Sequence, residues 1–263
     1  MKSVLLGLCL IYTIIRGGSA VEPLGSYLYK ELGCTENSDS NIVRYDCPDF
    51  LPKNGSCIFK KSLINVGDNI DRELLKGSCH ADCRCVSDGS IICAQYDCFE
   101  RLKSGCSHFK YSLDSCCPVD SVCGPIAKCE IEGASYQEGN TVFLKNKCEV
   151  CVCDVGFEMK APFCQPRKCY DQATFPEMFE NNGAPAFFKD ENCCPNTWVS
   201  DEGQSISKMS KDTVSEDGYS CNFGKRKVPV GYGFETKIKP YGTEVPLICE
   251  CNMPPFMICK EKI

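Results

Sequence analysis

Apolar residues in this chain fall in short runs broken by glycine and polar turns, with no long helical stripe. Three segments share one form: residues 62–70 (SLINVGDNI), 134–144 (ASYQEGNTVFL) and 227–238 (KVPVGYGFETKI). Each puts β-formers on both sides of a glycine, Gly67, Gly139 or Gly231. The pattern predicts strand, turn, strand, with the glycine giving a positive φ inside a hairpin. A further strand pair is predicted around Asp88-Gly89 in SDGSIIC. Residues 69–76 (NIDRELLK) are compatible with one helical turn. Residues 199–220 hold no Cys and few aliphatic side chains, which predicts a linker.

The first apolar run, Val4 to Ile15, is different in kind. Lys2 precedes it, and Gly18 and Ala20 sit at the −3 and −1 positions of a cut after Ala20. This predicts a cleaved secretory signal over residues 1–20, because a membrane span needs about 20 apolar residues. No later stretch is long or apolar enough to be a membrane helix. Of the 25 cysteines, Cys9 would leave with the signal, so the remaining 24 can all pair in an oxidising compartment. Cysteine at that density is the composition of a disulfide scaffold. Modules this short and this poor in aliphatic residues depend on bridges, each contributing about 2–4 kcal/mol.

The cysteines repeat. Cys57, Cys129 and Cys221 are each followed ten residues later by Gly67, Gly139 and Gly231, then by a Cys-x-Cys and another Cys. The continuations are Cys83/Cys85 and Cys93, Cys151/Cys153 and Cys164, and Cys249/Cys251 and Cys259. A fixed offset used three times marks a tandem array. The predicted organisation is a lead-in at 21–56 with Cys34 pairing Cys47, repeat one at 57–128, repeat two at 129–198, the linker, and a half repeat at 221–263. The expected fold is small, disulfide-rich and mainly β. Each module would have a two- or three-stranded antiparallel sheet and a bridge-held irregular half.

These spacings, followed by Cys116-Cys117-Pro118 and Cys193-Cys194-Pro195, resemble the von Willebrand factor type C module of chordin-like secreted proteins. The resemblance covers most of residues 57–263. Repeat two lacks the module's last two cysteines, and repeat one has a longer Cys79-to-Cys83 gap and the extra Cys106. The resemblance implies Cys57–Cys85, Cys83–Cys93 and Cys79–Cys117 in repeat one. In repeat two it implies Cys129–Cys153, Cys151–Cys164 and Cys148–Cys194, and in the half repeat Cys221–Cys251 and Cys249–Cys259. The half repeat lacks the second cysteine together with the half of the module that would hold its partner. Cys169 is then left for Cys193. Cys98, Cys106, Cys116 and Cys123 allow three connectivities, of which Cys98–Cys123 with Cys106–Cys116 is carried forward.

Charge and chemistry narrow the function classes. The net charge is −6, or −8 once Lys2 and Arg16 are removed, which disfavours nucleic acid and anionic lipid as partners. No membrane insertion is expected. Cys148-x-x-Cys151 could read as a zinc or redox motif, but every cysteine has a structural partner available, so no metal or cofactor is expected. The two histidines, His80 and His108, lie in polar stretches, and neither G-x-S-x-G nor H-E-x-x-H occurs. The reading is of a protein that is not an enzyme. Asn54-Gly55-Ser56 is a glycosylation sequon before Cys57. Lys225-Arg226-Lys227 reads as a solvated hairpin edge, and Trp198 as a cover over the bridges ending repeat two.

Candidate partner-binding residues are Ile64, Val66 and Ile70 in repeat one and Tyr136, Val142 and Phe143 in repeat two. A thin sheet cannot always cover both faces; the same residues could equally pack on neighbouring bridges. The resemblance implies a secreted protein-binding protein, a modulator of bone-morphogenetic/TGF-β-type growth factors. An extracellular-matrix component and a disulfide-rich protease inhibitor are the alternatives.

Overall fold

The computed structural model describes residues 22–37, 42–50, 55–189, 191–209 and 218–262. The signal at 1–20 and Asn54 lie outside the described residues. The described chain is mainly β, in small two- or three-stranded antiparallel sheets and one six-stranded sheet, with only short helices.

The lead-in forms α1 (Ser26–Leu32) and the hairpin β1 (Thr35–Asn37) with β2 (Arg44–Asp46), closed by Cys34–Cys47. Repeat one contains β3 (Cys57–Phe59), β4 (Ser62–Ile64), α2 (Arg72–Leu75), β5 (His80–Cys85), β6 (Ile91–Gln95), β7 (Cys106–Lys110) and β8 (Asp120–Cys123). Repeat two contains β9 (Lys128–Ile131), β10 (Ala134–Gln137), β11 (Thr141–Leu144), β12 (Glu149–Val152) and β13 (Cys164–Pro166). It continues into α3 (Asp171–Thr174), α4 (Pro176–Glu180), β14 (Ala184–Phe187) and β15 (Thr197–Val199). The last part holds β16 (Ser207–Lys208), β17 (Ser220–Phe223), β18 (Arg226–Pro229), β19 (Tyr232–Ile238), β20 (Val245–Glu250) and β21 (Ile258–Glu261).

The hairpin of each repeat lies earlier than the glycine. The strands β3–β4, β9–β10 and β17–β18 pair across two-residue loops between Phe59 and Ser62, Ile131 and Ala134, and Phe223 and Arg226. Positive φ at Lys60, at Glu132 and Gly133, and at Gly224 gives those loops the twist that strand pairing requires. Gly67, Gly139 and Gly231 instead mark the corner where the chain leaves this hairpin. At φ 87°, 87° and 84° each donates its amide to the second cysteine of the Cys-x-Cys. The distances are 2.8 Å to Cys85 O, 2.7 Å to Cys153 O and 2.9 Å to Cys251 O. That cysteine's own amide returns to the residue after the glycine: Asp68 O at 3.1 Å, Asn140 O at 2.9 Å and Tyr232 O at 2.9 Å. Its sulfur is bridged to the cysteine that opens the repeat, with Cα separations of 5.7, 5.7 and 5.6 Å.

Other positions keep step with this clamp. The residue two after the first cysteine is buried each time: Phe59, Ile131 and Phe223. Seven after it, Ile64, Tyr136 and Val228 stand directly opposite that cysteine in the hairpin. Thirteen after it, Ile70, Val142 and Phe234 are buried. The core of repeat two shows how thin such a module is: Ile131, Val142 and Leu144 surround Cys129, Cys151, Cys153 and Cys164. Each buried aliphatic side chain contributes about 1.5–3 kcal/mol, so bridges make up much of this interior.

The structure joins Cys57–Cys85, Cys83–Cys93, Cys129–Cys153, Cys151–Cys164, Cys221–Cys251 and Cys249–Cys259. The vicinal cysteines pair differently from the expectation. Cys79 is bonded to Cys116, not Cys117, and Cys148 to Cys193, not Cys194. The partners of Cys117 and Cys194 are Cys98 and Cys169, so the expected Cys169–Cys193 is not formed. The cause is that neighbouring side chains point to different sides. Cys193 faces the loop at Lys145 that leads to Cys148, while Cys194 enters the aromatic core with Cys169 and Trp198. The expected Cys98–Cys123 and Cys106–Cys116 are likewise replaced by Cys98–Cys117 and Cys106–Cys123. The hairpin β7–β8 sets Cys106 opposite Cys123.

The C-terminal part is more than a half repeat. Strands β15, β14, β21, β20, β19 and β16 make one six-stranded sheet, in which β14 runs parallel to β21. The boundary expected at 198/199 therefore falls inside β15, and β16 draws residues 207–208 of the expected linker into the sheet. The lead-in is a core element. Tyr29 of α1 stacks on Tyr45 at 4.3 Å and on Phe256 at 5.6 Å, donates to Met253 O and accepts from the Phe256 amide.

A Cβ at Gly139 would lie 2.8 Å from Phe109 O and 2.9 Å from Lys110 Cα, whereas one at Gly67 meets nothing within 4 Å. Gly67→Ala is expected to cost about 1 kcal/mol from its φ alone, and Gly139→Ala about 3 kcal/mol or more. Urea unfolding with the bridges intact measures both; equal losses would contradict the packing assigned to Gly139.

Candidate binding surface

Exposed apolar side chains are unevenly spread. The large ones in residues 57–128 are Leu63, Val66, Ile92, Tyr96, Phe99, Leu102, Tyr111 and Val119, with Phe143, Val155 and Met159 following in repeat two. Among the described residues, none lies beyond residue 159. The strand β4 and the turn after it carry Leu63, 66 % exposed, and Val66, 47 % exposed.

Of the six expected binding residues, Val66 and Phe143 are exposed. Ile70 and Val142 are buried, because they take the thirteenth position that faces the clamp. Ile64 and Tyr136 are half-buried against the repeat cores, held there by the register opposite Cys57 and Cys129. Phe143 carries the Arg167 guanidinium 4.8 Å above its ring. Leu63 was missed in the sequence because its neighbours Ile64 and Val66 are equally apolar. Only the cross-strand pairing with Ile58 tells which face it takes.

The chain segment after β13 ties the parts together. The Gln172 side chain, itself buried, accepts from Lys60 N at 2.7 Å and donates to Ile58 O at 3.0 Å, so an amide takes the place of a third strand beside β3. Glu31 of α1 accepts from Lys60 Nζ at 3.0 Å and from Cys169 N at 3.1 Å. Repeat two is held to repeat one by Lys110, which reaches Asp154 at 2.7 Å and Glu138 at 3.4 Å. The Asp154 hydrogen bond raises the pKa of Lys110. Trp198 packs on Phe179 at 4.4 Å and donates its indole N–H to Asp171 at 2.8 Å. It thus belongs to the shared aromatic core and does not merely cover the bridges. In the basic run, Arg226 donates to the carbonyls of Asp201 and Gln204, and Lys227 reaches Asn222 Oδ1.

The polar chemistry is sparse. His108 contacts Ser107 Oγ at 2.8 Å through Nδ1, and its Nε2 meets the carbonyl of Glu138. His80 lies beside Tyr170, with both ring nitrogens buried and unpartnered, and burial lowers its pKa. It borders an open cleft of about 380 Å³ lined by charges of both signs, Arg72 and Lys76 with Asp82, Glu100 and Asp114. The sulfurs of Cys98, Cys116 and Cys117 lie within 4.8 Å of one another, but all three are spent in two bridges. No described helix is long and apolar enough to cross a membrane. No protein family matches the chain, and no curated protein or solved structure does either.

Asp171 is the buried carboxyl of the junction. Desolvation pushes its pKa up to about 7, against the smaller opposing effect of the Trp198 hydrogen bond. In the unfolded chain the group titrates near 4. Between about pH 4 and 7 the folded protein keeps a proton that the unfolded chain has released, so this group's stabilisation falls as pH rises through that window, by at most about 1.4 kcal/mol per unit. Asp171→Asn is expected to remove the slope. Urea unfolding of both proteins from pH 4 to 8 should give curves that converge towards pH 4 relative to pH 7; parallel curves would count against a protonated carboxyl there.

Proposed function

We propose that the chain is a secreted, non-enzymatic protein-binding protein whose first repeat supplies the contact surface. The observation that carries this reading is the concentration of exposed apolar side chains in residues 57–128, against their absence beyond residue 159 among the described residues. Soluble domains rarely leave such side chains clustered without a partner. Bridges hold the backbone beneath Leu63 and Val66 rigid, so docking there orders little new structure. The dense disulfides support an oxidising, extracellular setting. The buried aromatic cluster of α1, Trp198 and Phe256 gives the C-terminal part a scaffolding role.

The module that the cysteine spacing resembles implies a partner class: a growth factor of the bone-morphogenetic/TGF-β type, whose access to receptors the protein would control. An acidic chain favours a basic member of that class. The test is surface plasmon resonance against an immobilised bone-morphogenetic-type growth factor. Saturable binding is expected, weaker at high salt. Leu63→Glu with Val66→Glu should weaken it at least about tenfold, or about 1.4 kcal/mol, at an unchanged unfolding midpoint. Absence of binding, or full affinity in the double variant, would overturn the reading.

A further inference from the structure

We propose that the outer edge of β6 is the contact through which two copies of this chain associate. The strand that carries the cysteine following the Cys-x-Cys is β6, β13 or β21, and the three outer edges are treated differently. The edge of β21 is filled within the chain by β14, which pairs Ala186 with Cys259 and Phe187 with Lys260. The edge of β13 is blunted: it is three residues long, ends in Pro166, and the Gln165 side chain turns to Leu113 O at 3.0 Å. The edge of β6 is neither filled by a strand nor blunted by a proline, although α3 packs against β6 through the core that Ala173 shares with Ile91. The strand is five residues, Ile-Ile-Cys-Ala-Gln, without charge or proline, and among the described residues it pairs with β5 alone.

Its surroundings suit a second strand. Ile91 is buried and shares a core with Ala173 of α3, while Ile92 is 54 % exposed. Tyr96 and Phe99, just past the strand, are 57 % and 82 % exposed. Tyr96 donates its amide to Cys79 O, toward β5. In an antiparallel ladder the direction alternates, so the amide of Gln95 points outward, into the free edge.

The occupant follows from the strand's own sequence. Paired antiparallel with itself about Cys93, β6 sets Ile92 opposite Ala94 of the second copy and Ile91 opposite Gln95. No like charges meet, in a chain whose net charge is −6. The far edge of β5 is already taken by residues 67–70, through Gly67 N to Cys85 O and Ile70 N to Cys83 O. Two copies therefore close a continuous sheet β5–β6–β6–β5 about a two-fold axis and leave no edge for a third. The contact is distinct from Leu63 and Val66, which the partner-binding test varies, although Ile92, Tyr96 and Phe99 belong to the same exposed set in repeat one.

Sedimentation velocity on the purified full chain, up to about 200 µM, tests this, because a small edge-to-edge interface is weak and transient. A reversible, concentration-dependent dimer is expected. Gln95→Pro removes an outward donor and leaves the β5 ladder intact; Ile92→Lys sets a charge beside its own copy. Each should raise the dissociation constant at least about tenfold without shifting the urea midpoint. Hydrogen exchange supplies the second readout: the Gln95 amide should be protected at high concentration and exposed at low. A monomer throughout the range, a dimer that persists in either variant, or a Gln95 amide indifferent to concentration overturns the proposal.

Discussion

In each of the three repeats one cysteine holds two parts of the chain at once. Cys85, Cys153 and Cys251 accept the amide of a glycine through the carbonyl and bond the repeat's first cysteine through the sulfur. The corner, the opening hairpin and the Cys-x-Cys strand are thereby fixed to a single residue. Glycine is required because the corner runs at φ 84–87°. Phe59, Ile131 and Phe223 are buried because the hairpin projects alternate residues inward from the bridged cysteine. In repeat two, three aliphatic side chains complete a core otherwise made of cysteines. Without the clamp that interior is too small to order the chain.

From one clamp the three copies reach different ends. The C-terminal copy recruits β14 and β15 from the tail of repeat two, together with α1 from the start of the described chain, and builds a sheet and an aromatic core around itself. Repeat one recruits no further strand among the described residues: the Gln172 amide lies beside β3, Ala173 shares a core with Ile91, and Lys60 and Lys110 make ion pairs outward. Apolar surface is accordingly hidden in the last copy and left open in the first. That difference is the physical basis for proposing that repeat one binds and the rest supports it.

What was legible in the sequence was local. The ten-residue Cys–Gly offset located all three clamps, and the Asp88-Gly89 turn lies between β5 and β6 as expected. The role of the glycine was displaced, because a positive φ serves a corner as well as a hairpin turn. The offsets of two, seven and thirteen were also present, but Phe, Ile, Val and Tyr fill them without a fixed identity. Ile70 and Val142 therefore looked no different from surface residues. Vicinal cysteines carry no sign of which faces inward; that depends on where Cys148 and the aromatic core stand. The parallel pairing of β14 with β21, and the helix Ser26–Leu32 docked on Phe256, join segments far apart in sequence. No local pattern announces contacts of that kind.

The most direct test is the connectivity of the bridges in the purified, unreduced protein. Partial reduction with stepwise alkylation, followed by mass spectrometry that fragments between the vicinal residues, distinguishes Cys116 from Cys117 and Cys193 from Cys194. The account predicts Cys57–Cys85, Cys129–Cys153 and Cys221–Cys251 as the three clamps, with Cys79–Cys116 and Cys148–Cys193 tying the halves of the first two repeats. Any of the three opening cysteines found bonded elsewhere than to the second cysteine of its Cys-x-Cys would contradict it.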